Sequence, residues 1–189
     1  ADRLVAPCPI LHSMRLRKEA EELLQLREAA RISAEAHELA RLAVQPGMNE
    51  TQVRALIEQH FVANGCRGCA YPSIVAGGDN ACILHYTANN AVLKAGDLLL
   101  IDAGCSLQDH YNGDITRTFP INGRFSPEQR ALYEVVLSAQ LADDAELPQP
   151  ALLCSADTNN TTTLASISLV NITIPSNESG GLGGPPDFS

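Results

Sequence analysis

The sequence predicts an α+β fold: an antiparallel sheet flanked by helices. Three observations predict it. Apolar residues recur at helical spacing through the first third of the chain. The pattern then changes to short apolar runs separated by Gly, Asn and Asp turn signals. A third, well-capped helical segment follows the last of those runs. Helices grouped before and after a block of strands, rather than alternating with them, favour segregated layers over a parallel doubly wound sheet.

Each element has its own signal. Residues 1–13 read as an irregular lead-in, because Pro7 and Pro9 interrupt regular structure. Residues 17–44 read as a long helix whose inward face is Leu23, Leu26, Ala29, Ile32, Ala36, Leu39 and Ala43. Pro46-Gly47 ends it. Asn49 and Gln52 form a capping box for a second helix, which turns Val53, Leu56, Ile57 and Phe61 inward and stops at Asn64-Gly65. His37 and His60 lie on these helices and read as packing or solvated histidines. Residues 71–76 and 81–87 read as strands joined by the turn Gly77-Gly78-Asp79-Asn80. Leu98-Leu99-Leu100-Ile101 is a continuous apolar run, expected to be a strand buried on both faces. Residues 114–119 alternate in polarity as a strand does. Ser126, Pro127 and Gln129 open the third helix, with Leu132, Val135, Val136 and Ala139 as its apolar face.

The two parts of the chain differ in composition. Residues 1–140 read as the folded part. Residues 141–189 are rich in Ser, Thr, Asn, Gly and Pro and read as an irregular tail, broken first at Pro148 and Pro150, with at most one strand over 164–175. All 13 Lys and Arg fall between Arg3 and Arg130. A net charge of −9 argues against nucleic acid as a partner, since phosphate binding needs a basic patch. No run of about 20 apolar residues marks a membrane span, and no secretory leader is visible at Ala1-Asp2-Arg3-Leu4. Cys66 and Cys69 form a single CxxC among six cysteines, without the second pair that a structural zinc site needs. Free buried thiols and a reducing, cytoplasmic compartment are expected.

Two carboxylates carry the chemistry. Asp102 follows four apolar residues, and burial of an uncompensated carboxylate is costly. Asp114 opens the next strand after a loop short enough for a hairpin, so the two can converge across strands about 4.8 Å apart. Carboxylates that close repel unless a proton or a divalent ion lies between them. The alternative is a pair of ordinary turn carboxylates. His85, at the end of an apolar segment, suits a hydrogen bond to a substrate carbonyl or oxyanion, or else a core hydrogen bond to backbone. Arg117 suits an ion pair with either aspartate or an exposed strand face.

Three segments together carry a resemblance: Ile83-Leu84-His85-Tyr86-Thr87; Gly96-Asp97-Leu98-Leu99-Leu100-Ile101-Asp102-Ala103-Gly104-Cys105; and Tyr111-Asn112-Gly113-Asp114-Ile115-Thr116-Arg117-Thr118-Phe119-Pro120. Residues 9–140 resemble the Xaa-Pro aminopeptidases (aminopeptidase P), more closely than the related creatinases and prolidases. The resemblance implies the N-terminal half of a pita-bread domain with a two-metal site, usually dimanganese (Mn²⁺). It implies peptides with proline at the second position as substrates. It assigns Asp102 and Asp114 as metal ligands and His85 as the histidine that contacts substrate. The family's ligand His and two ligand Glu belong beyond residue 140, where this sequence has no histidine and its tail does not match. The expectation is therefore a truncated chain with weak metal binding and little activity, prone to dimerise or aggregate through an exposed half-core. A non-catalytic pita-bread module that binds peptides or proteins is the alternative.

Overall fold

The structure, a computed structural model, describes residues 7–146. Residues 141–146 are not irregular but continue a helix over Pro127–Glu146, which corrects the start of the tail; its remaining expectations, including the breaks at Pro148 and Pro150 and the strand at 164–175, lie outside the described residues. Helix α1 covers Cys8–Leu16, so the irregular lead-in is corrected. Pro9 falls in its first turn, where a backbone N–H has no helical partner to lose. Helix α2 covers Ala20–Ala43 and starts from a reciprocal Glu19/Glu22 capping box. Helix α3 covers Glu50–Ala63, with the expected Asn49/Gln52 box in place.

Strands follow in the order β1 Gly68–Cys69, β2 Ile74–Gly77, β3 Leu98–Ala103, β4 Cys105–Ser106 and β5 Ile115–Pro120. Among the described residues β2, β3 and β5 form one antiparallel sheet in that order, and β1 pairs with β4 in a second. Helix α4, Pro127–Glu146, follows the sheet. Ser126 and Gln129 cap each other at its start, and the Gln129 side chain donates to Gly96 O at 2.8 Å. Among the described residues no helix is long and apolar enough to cross a membrane.

Helices α2 and α3 cover one face of the larger sheet. Ala29, Ile32, Ala36 and Ala40 from α2 and Val53, Ile57 and Phe61 from α3 pack on Val75, Leu99, Ile101 and Ala103. The buried stripe of α2 runs through Ala30, Ser33, His37 and Ala40 instead of Leu39, which is exposed. Small residues there let the helix backbone approach the strands. Among the described residues the opposite face of the sheet carries a small cluster of Ile74, Ala76 and Tyr86 with Leu100. Burial along β3 consequently alternates, and the expectation of a strand buried on both faces is corrected.

Residues 81–87 are not a strand. The chain takes a 3-10 turn over Gly78–Cys82, and His85 has φ of 54°, which no extended strand accommodates. Hydrogen bonding decides this against apolar propensity: Tyr86 is drawn inward to Glu50, leaving Ile83 and Leu84 exposed. Nothing among the described residues covers the apolar face of α4, where Leu132, Val135 and Val136 are exposed.

Candidate functional site

The end of β3 and the start of β5 meet over α2. Their last register pair is Ala103 with Ile115. Just beyond it the two backbones nearly touch: a Cβ on Gly104 would lie 1.8 Å from Gly113 O. A Cβ on Gly113 would lie 2.2 Å from Ser33 Oγ. Only glycine fits at either position. Ser33 Oγ in turn donates to Ala29 O at 2.7 Å and accepts from Cys105 N at 3.0 Å, and Gly113 N donates to Cys105 O at 2.9 Å.

His37 supports the same strand end from α2, with Nε2 3.0 Å from Ala103 O. Burial brings its pKa down to about 4; the Ala103 carbonyl opposes that shift and the charge of Arg117 adds to it. The ring is thus neutral at physiological pH, and Nε2–H is the donor to the carbonyl. The packing reading of His37 is the one observed.

This scaffold presents Asp102 on the sheet face away from the helices, in register with Ile74 and Thr116. Asp114 precedes β5 on the other side of the reversal. Tyr71 joins them. Its hydroxyl lies 2.6 Å from Asp102 Oδ1 and 2.8 Å from Asp114 Oδ1. Burial, then the hydrogen bond and charge of Asp102, then the charge of Asp114, drive the phenol pKa well above its ordinary value, so it stays protonated. A phenol has one proton to give. It cannot satisfy both carboxylates fully, and the pair keeps a surplus of acceptor oxygens.

That surplus fits a cation. Two carboxylates offer hard oxygen donors of the kind that divalent Mn²⁺ or Mg²⁺ accepts. They are also fewer ligands than such an ion takes. Among the described residues no group of three or more His, Cys, Asp or Glu is arranged to hold a metal. The two aspartates alone do not complete a metal site among the described residues.

His85 stands apart from this pair. It is exposed on a turn and makes no hydrogen bond to either carboxylate. Arg117 donates to Thr116 O at 2.7 Å. The CxxC cysteines are free thiols, as are Cys8, Cys82 and Cys105. Burial, reinforced by contact with Cys105, pushes the Cys66 thiol up to about 12, which leaves it unreactive at neutral pH. Sequence reasoning missed Tyr71, which it placed in a strand. A Tyr-Pro step carries no signal for a carboxylate partner 31 residues away.

A profile of Metallopeptidase family M24 matches residues 24–144. The chain is 47% identical over 131 residues to Xaa-Pro aminopeptidase of Escherichia coli, covering 69% of this chain and 30% of that protein. It is 48% identical over 132 residues to Xaa-Pro aminopeptidase of Haemophilus influenzae, covering 70% and 30%. Among solved structures it is similar to Pseudomonas aeruginosa aminopeptidase PepP, with a TM-score of 0.71 and 54% identity over 73% of this chain and 31% of that one. A zinc-substituted E. coli aminopeptidase P in complex with product gives a TM-score of 0.71 and 45% identity, with the same coverage.

The family match and the likeness to solved aminopeptidases together make this fold that of a metallopeptidase. The chain belongs to Metallopeptidase family M24, and its α+β architecture is the N-terminal part of the pita-bread fold. The chain spans about 30% of the length of the curated relatives it matches.

Proposed function

We propose that this chain is part of a dinuclear, metal-dependent aminopeptidase that hydrolyses the N-terminal Xaa-Pro bond of peptides. The observation that carries the reading is the convergence of Asp102 and Asp114 on one hydroxyl proton, with identity of 44–48% to four proteins named as established or probable Xaa-Pro aminopeptidases beside it. Asp102 and Asp114 are its metal-binding carboxylates, and Mn²⁺ is its metal. A divalent metal supplies Lewis-acid activation of water and of the scissile carbonyl. Tyr71 holds the two carboxylates at a common point and keeps its own proton there. His85, on its exposed turn, offers a ring N–H to the substrate carbonyl as charge develops on it.

The peptidase portion is residues 1–140, a division supported by the family match ending at 144 and by the change of composition after it. The free thiols support a reducing, cytoplasmic setting. The uncovered face of α4 supports self-association.

Titration calorimetry with Mn²⁺ and an Xaa-Pro peptide release assay test the reading together. The 189-residue chain is expected to bind Mn²⁺ weakly and release little product. Asp102→Asn and Asp114→Asn should each abolish the binding. Binding that survives both substitutions would sink the metal assignment, and strong turnover by this chain alone would sink its inactivity.

A further inference from the structure

Glu50 is a fully buried carboxylate in the first turn of α3. Among the described residues no cation is paired with it. Four donors hold it instead. Oε1 accepts from Gly77 N at 2.9 Å and Asn80 Nδ2 at 3.0 Å. Oε2 accepts from Tyr86 Oη at 2.8 Å and Ala91 N at 2.9 Å. All four donors come from the stretch 77–91, and His85 lies inside that stretch.

The rest of the stretch is anchored in the same way. Buried Asn89 accepts from Val75 N at 2.7 Å and donates to Ser73 O at 2.8 Å, which ties the returning chain to β2. Asn89 adopts φ of 46°, a conformation Asn tolerates better than most residues. Thr51, next to Glu50, donates to Asn89 O at 2.5 Å. Between these anchors Ile83, Leu84 and His85 are exposed, and His85 itself has φ of 54°. At the tip of the turn Ile83 and Leu84 face outward, so apolar packing reaches the stretch mainly through Tyr86, and the hydrogen bonds to Glu50 join Gly77, Asn80, Tyr86 and Ala91 to one group.

We propose that Glu50 is a positioning residue for His85: a buried anion whose four hydrogen bonds fix both ends and the Tyr86 anchor of the turn that carries the histidine. The role of His85 rests on the reading given under Proposed function. Burial opposes ionisation of Glu50, but the Gly77 amide, Asn80, the Ala91 amide and Tyr86 together hold its pKa below the ordinary carboxylate value. The charge therefore persists at neutral pH. A glutamine at this position presents an NH₂ where two of those donors point and cannot accept from all four.

Glu50→Gln tests this in the 189-residue chain, with Tyr86→Phe as the milder variant in case the first does not fold. Amide hydrogen exchange is expected to rise about 10-fold or more across 77–91, with β3 and β5 unchanged, because local opening is uncoupled from the sheet. A second readout is Mn²⁺-induced relaxation of the His85 ring protons, which a purely structural residue would leave alone. It should be strong in the parent chain and averaged down in both variants. Exchange that rises equally in β3 and β5, or His85 relaxation identical in all three proteins, would overturn the positioning role. Absence of Mn²⁺ relaxation at Asp102 in the parent chain would instead overturn the metal reading, with the exchange arm still deciding whether Glu50 holds the turn.

Discussion

At the scale of single residues, the two aspartates are legible in the sequence but the group that joins them is not. Asp102 stands out because a carboxylate beside an apolar run is costly unless compensated, and Asp114 because it opens the next strand after a short loop. Tyr71 is defined only by tertiary contact, through two short hydrogen bonds to residues 31 and 43 positions away. Its removal gives a direct prediction. In Tyr71→Phe the carboxylates lose the donor that fixes their orientation, and they repel across the gap. Mn²⁺ affinity is expected to fall about 10-fold or more, the usual cost of losing a group that orients metal ligands. Calorimetry on parent and variant measures it. Equal affinities would mean that the hydroxyl serves packing alone.

At the scale of elements, capping and turn chemistry were the readable signals. The Asn49/Gln52 and Ser126/Gln129 boxes form as the residue spacing predicts. Where the expectation failed, tertiary hydrogen bonding overrode local apolar pattern. Residues 81–87 have strand-like composition, yet Glu50 captures Tyr86 and bends the chain. The lead-in failed for a different reason, since a proline in a first turn is compatible with helix. Helix α4 shows a third case: Leu132, Val135 and Val136 fall at helical spacing, but nothing among the described residues covers them. Leu132, Val135 and Val136 are 68%, 67% and 61% exposed. Val135→Lys should therefore leave the unfolding free energy of this chain from urea denaturation within about 0.5 kcal/mol of the parent, as surface changes do. The same substitution should lower self-association in sedimentation velocity, because it breaks an exposed apolar patch. A large loss of stability would show that the face is buried in solution.

At the scale of the whole molecule, buried ionisable groups set the pH range over which the fold holds. His37 has a pKa of about 4 in the fold against 6.5 for an unperturbed histidine. Between those values the unfolded chain binds a proton that the folded chain refuses, so stability falls as pH falls through this window. Glu50 acts in the same direction lower down. Its folded pKa lies below 4.5, so the unfolded chain takes up its proton first as pH falls through that value. Cys66 limits the alkaline side. Its thiol ionises at about 12 in the fold and 9.0 when free, so stability falls as pH rises above 9.0. These groups lie between α2, α3 and the sheet, so the limits belong to the fold as a unit and not to one element. From about pH 7 to about pH 5, His37 alone should remove about 2 kcal/mol of stability. Urea denaturation at the two pH values measures this. His37→Leu supplies the control: it loses the hydrogen bond to Ala103 and starts from lower stability, but the drop between the two pH values should largely vanish. A drop of equal size in the variant would place the acid sensitivity on other groups.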